Sequence, residues 1–155
     1  MEQTNKVKDH AVSGAKIAKK ILLDVGFNKN KISAVCHAIK VHRKSQQLET
    51  ETLEAKILQD ADYLDALGAI DVARVIASSF QSKMYQKPIF VNEDKINMKG
   101  DKNKSAIHYI LYKISTDKMK PEQFHTPTGK KMAKHRYDYV KNFCKEFINE
   151  WNGLI

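Results

Sequence analysis

The sequence predicts an all-α fold, and three observations support this prediction. Apolar residues recur every three or four positions through most of the chain, which is the spacing of one face of a helix. Residues that cap helix N-termini stand directly before these stretches, as at Asn28 and at Thr126, which Pro127 follows. The alternation of apolar and polar residues that marks strands is almost absent. We therefore expect a helical bundle.

Size and composition indicate a globular protein with a single domain spanning residues 1–155. With 155 residues, 42% hydrophobic and 29% charged, the chain is long enough to bury a core. No apolar run approaches the ~20 residues of a membrane-spanning helix, and the N-terminus lacks the apolar core of a secretory signal. Cys36 and Cys144 fall on apolar helix faces, so we expect two buried thiols. These features predict a protein of the reducing cytoplasm.

The formal net charge of +9 favours anionic partners such as phosphates, nucleotides or nucleic acids. Lysine supplies nearly all of this charge, and arginine occurs only at Arg43, Arg74 and Arg136. Because guanidinium is a rigid planar fork suited to carboxylates and phosphates, these positions suggest specific contacts. The sequence contains no helix-turn-helix pattern or RNA-binding signature, and no aromatic stacking platform accompanies the lysines. Nucleic acid is therefore the least favoured of these partners.

Two helices are predicted in the first third of the chain. The first runs from Lys6 to Val25, and His10 lies at the edge of its apolar stripe, one turn before the small residues of the Gly14-Ala15 pair. The second follows the cap Asn28 and continues through Arg43. His42 continues the buried side of this helix, whereas His37 points to the opposite side and is expected to face solvent.

The stretch Thr52–Arg74 carries the most informative pattern of the sequence. Thr50 or Thr52 can cap a helix here, and Asp62 and Asp65 are neighbours on its surface because they are three residues apart. The surrounding residues are small or apolar, so we expect this stretch to lie largely inside. Two adjacent buried carboxylates require a cation, either a metal ion or an arginine. A second apolar helical stretch, residues 65–80, either continues this helix or bends away near Gly68.

The segment Ser82–Lys104 is rich in lysine and predicts no regular element. A segment of this length in a compact domain is often a lid or a binding loop, and a plain surface excursion is the alternative. Residues 105–115 then predict an aromatic-rich helix that contains Lys113. Residues 117–124 are expected to form a loop.

The last predicted helix starts at the cap Thr126 and runs to about Trp151. Arg136 lies within its apolar stripe, and a guanidinium among such residues needs a carboxylate or a phosphate as a partner. A salt bridge to the Asp-bearing helix is the structural alternative to phosphate binding. The expected buried stripe consists of Met132, Ala133, Val140, Phe143, Phe147 and Trp151.

Four segments resemble the HD-domain superfamily of metal-dependent phosphohydrolases, in its branch of small stand-alone hydrolases. From Glu54 to Arg74 the chain reads ExxIxxDADxLDAxGAxxxAR, which closely resembles the final metal-binding motif of that family. HAVSGAKIAKKIL, which starts at His10, is similar to the third conserved helix, and the IxxH that ends at His42 matches the next histidine position. TPTGKKMAKHR, which starts at Thr126, resembles a later conserved segment, and Lys113 fits the helix between.

This resemblance implies an HD-domain-like helical bundle that hydrolyses a phosphate ester of a nucleotide or a small metabolite. The implied cofactor is a divalent metal ion (Mn, Mg, Ni, Co or Fe) that polarises a phosphoryl oxygen and generates hydroxide. The implied catalytic carboxylates are Asp62 and Asp65. The implied metal ligands are Asp62, His42 and His10, and the implied phosphate-binding residues are Arg74, Arg136 and Lys113.

The sequence also departs from the family pattern. The family starts with two helices that carry a first histidine and the His-Asp pair, and no His-Asp pair occurs in this sequence. The bundle is therefore expected to be N-terminally incomplete, as a fragment, as a degenerate member, or as a chain whose site a partner completes. A non-catalytic helical binding module that has lost the metal is the alternative function. Since the apolar residues near His10, His42 and Asp62 would lose part of their cover, we expect a homo-oligomer or a completing partner chain at that groove.

Overall fold

The computed structural model describes residues 9–43, 48–93 and 96–154, and within them the chain is helical, with two short 3-10 turns between residues 117 and 123 and no strand. The prediction of an all-α fold is confirmed. None of the described helices is long and apolar enough to cross a membrane. The helices are α1 (His10–Asp24), α2 (Lys29–Val41), α3 (Leu53–Asp65), α4 (Ala69–Gln81), α5 (Ala106–Ser115) and α6 (Pro127–Trp151).

The chain forms two compact units, residues 1–62 and residues 63–155. Helices α1 and α2 pack against each other in the first unit. Gly14 of α1 lies at this interface, where an added Cβ would lie 3.6 Å from Ile39 Cγ2, an ordinary van der Waals distance. One turn of α2 before Ile39, the Cys36 thiol donates to Ala15 O over 3.5 Å. Cys36 is only half-buried, so the expectation of a buried thiol was not met in full there.

Side-chain caps set the starts of the first three helices. Asp9 accepts a hydrogen bond from Ala11 N at the start of α1, and Asn28 accepts one from Asn30 N at the start of α2, which confirms the predicted cap. Thr52 Oγ1 accepts from Ala55 N and so caps α3. The first four residues predicted for α1 either lie outside the described residues or precede the helix, which begins at His10.

A sharp turn separates α3 from α4. The stretch predicted as helical through Arg74 ends at Asp65, and the chain resumes a helix at Ala69. Gly68 makes this turn with φ of 105° and ψ of −167°, a conformation that only glycine adopts readily. Of the two alternatives for this stretch, the bend near Gly68 is therefore the correct one.

The second unit is built around an apolar core shared by α4, α5 and α6. Helix α6 starts where predicted, with Thr126 Oγ1 accepting from Gly129 N over 2.9 Å and Pro127 in the first turn. The buried core of this unit contains Leu64, Leu67, Val72, Phe90, Ile107, Ile110, Leu111, Ile114, Phe124, Ala133, Val140, Cys144 and Ile148.

The buried face of α6 differs in part from the predicted stripe. Met132 and Trp151 are 42% and 51% exposed, so their predicted burial was wrong. The face that meets the core is centred on Val140 and Cys144 instead, and the helical period places Met132 at its margin. Cys144 is buried as expected, and burial raises the pKa of its thiol to about 12.

The lysine-rich segment, residues 82–104 (here called the strap), is fastened to α5 at two places. Pro88 O and Ile89 O accept hydrogen bonds from Ala106 N and Ile107 N, each over 3.0 Å. Near its other end, Gly100 lies so close to α5 that a Cβ there would collide with its backbone, and the Asp101 amide donates to His108 O. Residues 82–93 and 96–104 of the strap contain no helix or strand, and hydrogen bonds to α5 hold its backbone.

His108 lies where the strap crosses α5, and it is almost completely buried. Its ring stacks on Phe90 of the strap at a centroid distance of 5.2 Å, and its Nδ1 is 2.7 Å from Ser105 Oγ. Its Nε2 has no hydrogen-bond partner among the described residues, and the Glu93 carboxylate is 3.6 Å away. Burial lowers the pKa of His108 because it disfavours the charged imidazolium, and nearby Lys104 acts in the same direction.

We predict that the second unit loses stability as the pH falls below 6.5, the ordinary pKa of histidine. In that range the unfolded chain binds a proton at His108 that the folded chain does not, so the free energy of unfolding decreases with falling pH. Urea denaturation of wild type and His108→Gln between neutral pH and about pH 5.5 measures this contribution. The variant should show a shallower dependence on pH, and equal slopes would contradict the prediction.

Candidate functional site

Two of the three predicted metal ligands lie together in the first unit. His10 is the first residue of α1 and His42 follows the last residue of α2, and the packing of these helices brings the ring centroids to 5.5 Å. His10 is exposed and His42 is half-buried. The two imidazoles therefore stand side by side at a surface that a ligand can reach.

The hydrogen bonding of His42 fixes which of its nitrogens can bind a metal ion. His42 Nδ1 lies 2.6 Å from the backbone oxygen of Ile39. Because a carbonyl oxygen only accepts hydrogen bonds, Nδ1 must carry the proton, and the lone pair is on Nε2. A backbone carbonyl that orients the protonated nitrogen is the usual second contact of metal-binding histidines. His42 thus has the form that a divalent ion requires.

The predicted burial of the two site carboxylates was wrong. Asp62 and Asp65 are both exposed on α3, whereas Asp60 is buried. This follows from the helical period, since Asp60 points well away from Asp62. Among the described residues no group of three or more His, Cys, Asp or Glu side chains is placed to hold a metal ion. Imidazole nitrogens and carboxylate oxygens are the kinds of donor that bind a divalent cation. Of the three predicted ligands, the described residues bring together only the imidazoles of His10 and His42.

Asp65 is paired with an arginine, which is one of the two cations, a metal ion or an arginine, that we expected beside these carboxylates. Arg74 Nη1 and Nη2 donate to the two Asp65 oxygens over 2.7 and 3.0 Å, a two-point pair that joins α3 to α4. These hydrogen bonds hold the pKa of Asp65 below its ordinary value and raise that of Arg74. Both side chains are more than half exposed, so the pair fixes geometry more than it adds stability.

Arg136 binds the Asp-bearing helix through a carbonyl oxygen. Its Nη1 donates to Leu64 O near the end of α3, where a salt bridge was the predicted structural alternative. Its aliphatic carbons lie against Gly68, where an added Cβ would come within 3.1–3.3 Å of them. A cavity of about 330 Å³ adjoins Arg136 and also contacts His135 and Tyr139. The guanidinium therefore stabilises the carboxyl-terminal end of α3 from within the second unit.

A larger cavity of about 620 Å³ lies in the second unit between α4, α5 and the strap. Arg74 and Lys113, two of the three predicted phosphate-binding residues, line it. Lys87 and Lys102 of the strap line it as well, although neither was singled out from the sequence. The cavity is therefore bordered by four cationic side chains.

Lys113 is held in this cavity by a carboxylate that the sequence reasoning missed. Its Nζ donates to Asp71 Oδ2 over 2.6 Å, and the two side chains are only 14% and 9% exposed. A buried carboxylate in the first turn of α4 was detectable as an acidic residue on the apolar face of that helix. Its partner could not be found in the same way, because the two residues are 42 positions apart in the chain.

Tyr109 completes the inner wall of the cavity. The Nζ atoms of Lys87 and Lys113 lie 5.2 and 5.9 Å from the centre of its ring, a distance at which a cation is attracted to the π face. Burial raises the pKa of the Tyr109 phenol, with the Asp71 carboxylate acting in the same direction, so the phenol stays a hydrogen-bond donor.

Comparison with known proteins identifies the fold. Residues 1–67 match the family model of the HD domain. The resemblance to HD-domain proteins is confirmed. The chain is similar to YpgQ of Bacillus subtilis, with 26% identity over 106 residues, which are 68% of this chain and 44% of YpgQ.

Solved structures lead to the same conclusion about the fold. An HD-superfamily hydrolase from Bacillus thuringiensis superposes with a TM-score of 0.67 and 25% identity, over 90% of this chain and 63% of that one. YpgQ of Bacillus subtilis in complex with ADP superposes with a TM-score of 0.60 and 20% identity, over 88% of this chain and 63% of that one. The chain thus spans less than two thirds of each, and the HD-domain-like helical fold is confirmed.

We predict that Gly68→Ala destabilises the second unit. The glycine-only backbone conformation makes this substitution cost about 1–3 kcal/mol, and the new Cβ would also crowd the Arg136 side chain. Gly26→Ala is the matched control, because Gly26 also has a positive φ, of 71°, but has nothing within 4 Å of an added Cβ. Urea denaturation measures the decrease in the free energy of unfolding for both variants. A Gly68→Ala loss no larger than that of Gly26→Ala would contradict the prediction.

Proposed function

We propose that this chain provides the HD-type part of a metal-dependent phosphohydrolase that acts on a phosphate ester. One observation carries the proposal: His42, in the segment that matches the HD domain, has its Nδ1 proton fixed by Ile39 O and its Nε2 lone pair available beside His10. Such a pair of imidazoles is the nitrogen half of a divalent-metal site.

The metal-binding role is assigned to His10, His42 and Asp62. The first two would supply ring nitrogens, and Asp62 would supply an exposed carboxylate in the Ala-Asp-x-Leu context of the family motif. When bound, a divalent ion there would act as a Lewis acid on a phosphoryl oxygen and lower the pKa of a water molecule. The candidate ions are Mn, Mg, Ni, Co and Fe.

The phosphate-binding role is assigned to basic residues of the second unit. Lys113 and Arg74 border its larger cavity, and Arg136 borders the smaller one. Their cationic groups suit a phosphate in charge and in hydrogen-bond geometry. Asp65 orients Arg74 through its two-point pair, which is the role we assign to it in place of direct chemistry.

The substrate class is a nucleotide or a small phosphorylated metabolite. The structure of YpgQ with ADP shows a nucleotide bound to that protein, which has the same fold. The +9 net charge of this chain favours such an anionic substrate. A nucleotide therefore comes first among the substrates to test.

We predict that hydrolysis of a generic phosphate ester by this chain requires Mn²⁺ or Ni²⁺ and is lost in Asp62→Ala. Loss of a metal-binding carboxylate from a site with few ligands should lower the rate by more than about tenfold, because second-shell losses alone cost 10–100-fold. The measurement is the release of phosphate or nitrophenol with each metal added in turn, together with the metal content of protein purified without chelator.

Asp24→Ala is the control for this test, since Asp24 is an exposed carboxylate in the last turn of α1 and its removal relieves an unfavourable interaction with the helix dipole. It should keep both the metal and the rate. If the wild-type chain binds no metal ion and hydrolyses nothing, the proposal fails for this chain, and the non-catalytic binding module becomes the better description.

A further inference from the structure

We infer that Lys87 and Lys102 of the strap supply the uncompensated charge that attracts the anion into the larger cavity of the second unit, where Arg74 and Lys113 line the wall as cations already paired with carboxylates. The ligand class, a phosphorylated small molecule, rests on the proposed function. The assignment of the two lysines rests on the distribution of charge within the cavity.

Arg74 and Lys113 already have internal carboxylate partners. Arg74 donates through both terminal nitrogens to Asp65, and Lys113 donates to the almost buried Asp71. A phosphate would have to compete with these carboxylates for the same donors. The carboxylate partners therefore cancel much of the positive charge that these two side chains would present to an anion in the cavity.

The two strap lysines differ from them in this respect. No carboxylate of the described residues forms a salt bridge with Lys87 or Lys102, although both side chains line the cavity. Lys87 Nζ donates to the backbone oxygen of Lys102 and lies over the Tyr109 ring, neither of which neutralises its charge. The uncompensated positive charge of the cavity thus comes from the strap.

The remaining lining suits an organic phosphate. Tyr109 offers a protonated phenol, and Met84 and Tyr85 of the strap provide an exposed apolar border beside the lysines. A phosphate bound by Lys87 and Lys102 would leave the rest of the molecule against this border. Since the amines are solvent-accessible, the attraction should be screened by salt.

The test is calorimetric titration of the whole chain with inorganic pyrophosphate, at low and at high salt and without added metal. The double variant Lys87→Gln/Lys102→Gln should bind at least about tenfold more weakly than wild type and depend less on salt. The matched control is Lys83→Gln/Lys99→Gln, which removes two other exposed strap lysines that do not line the cavity. It should bind within about twofold of wild type.

A second variant tests whether Asp71 keeps Lys113 from attracting the anion. Asp71→Asn removes the carboxylate from Lys113 and returns an uncompensated charge to the cavity, so pyrophosphate should bind several-fold more tightly. Unchanged or weaker binding would contradict our reading of Lys113. Equal losses in the two lysine double variants, or no pyrophosphate binding by wild type, would overturn the inference itself.

These outcomes are separate from those of the hydrolysis assay. Hydrolysis that depends on Asp62, together with binding that is indifferent to Lys87 and Lys102, would leave the proposed function standing and refute the inference. Binding through the two lysines without hydrolysis under any metal ion would do the opposite. Circular dichroism of each variant confirms that the strap substitutions leave the helices folded.

Discussion

The second unit depends on one buried ion pair, between Lys113 on α5 and Asp71 on α4. Removing one partner would leave the other charge almost buried without its counter-ion, which is destabilising. The pair therefore ties α4 to α5 beside the apolar core, and both of its residues border the cavity between these helices. It also decides which cations are available to a ligand, because a lysine engaged by a carboxylate attracts other anions weakly.

The helix starts were predictable because they depend on neighbouring residues. Asn28, Thr52 and Thr126 each cap the helix that they precede, and Pro127 fits the first turn for the reason that the sequence suggested. For the stretch around Gly68 the sequence left two alternatives, a continuous helix and a bend, because a glycine is compatible with both. Local chemistry thus accounts for most of the secondary structure.

The environment of the site residues was predicted less well, because it depends on contacts between distant parts of the chain. The resemblance to the family singled out His10 and His42, which lie side by side, but periodicity placed Asp62 and Asp65 inside when they are exposed. The partner of Lys113 was missed for the same reason. Helix α6 has apolar residues on two adjacent faces. Packing against the rest of the second unit buries the face with Cys144 and leaves Met132 exposed.

The strap meets α5 largely through main-chain atoms, which limits how much a substitution in the strap disturbs the fold. Main-chain atoms of Pro88, Ile89 and Asp101 fasten it to α5, and the close approach at Gly100 needs only the absence of a side chain. Of the strap side chains that line the cavity, Lys87 contacts α5 over the Tyr109 ring, whereas among the described residues no side-chain hydrogen bond or ion pair joins Met84, Tyr85 or Lys102 to α5. Substitutions at Met84, Tyr85 or Lys102 can therefore change the lining of the cavity while the main-chain hydrogen bonds between the strap and α5 stay in place.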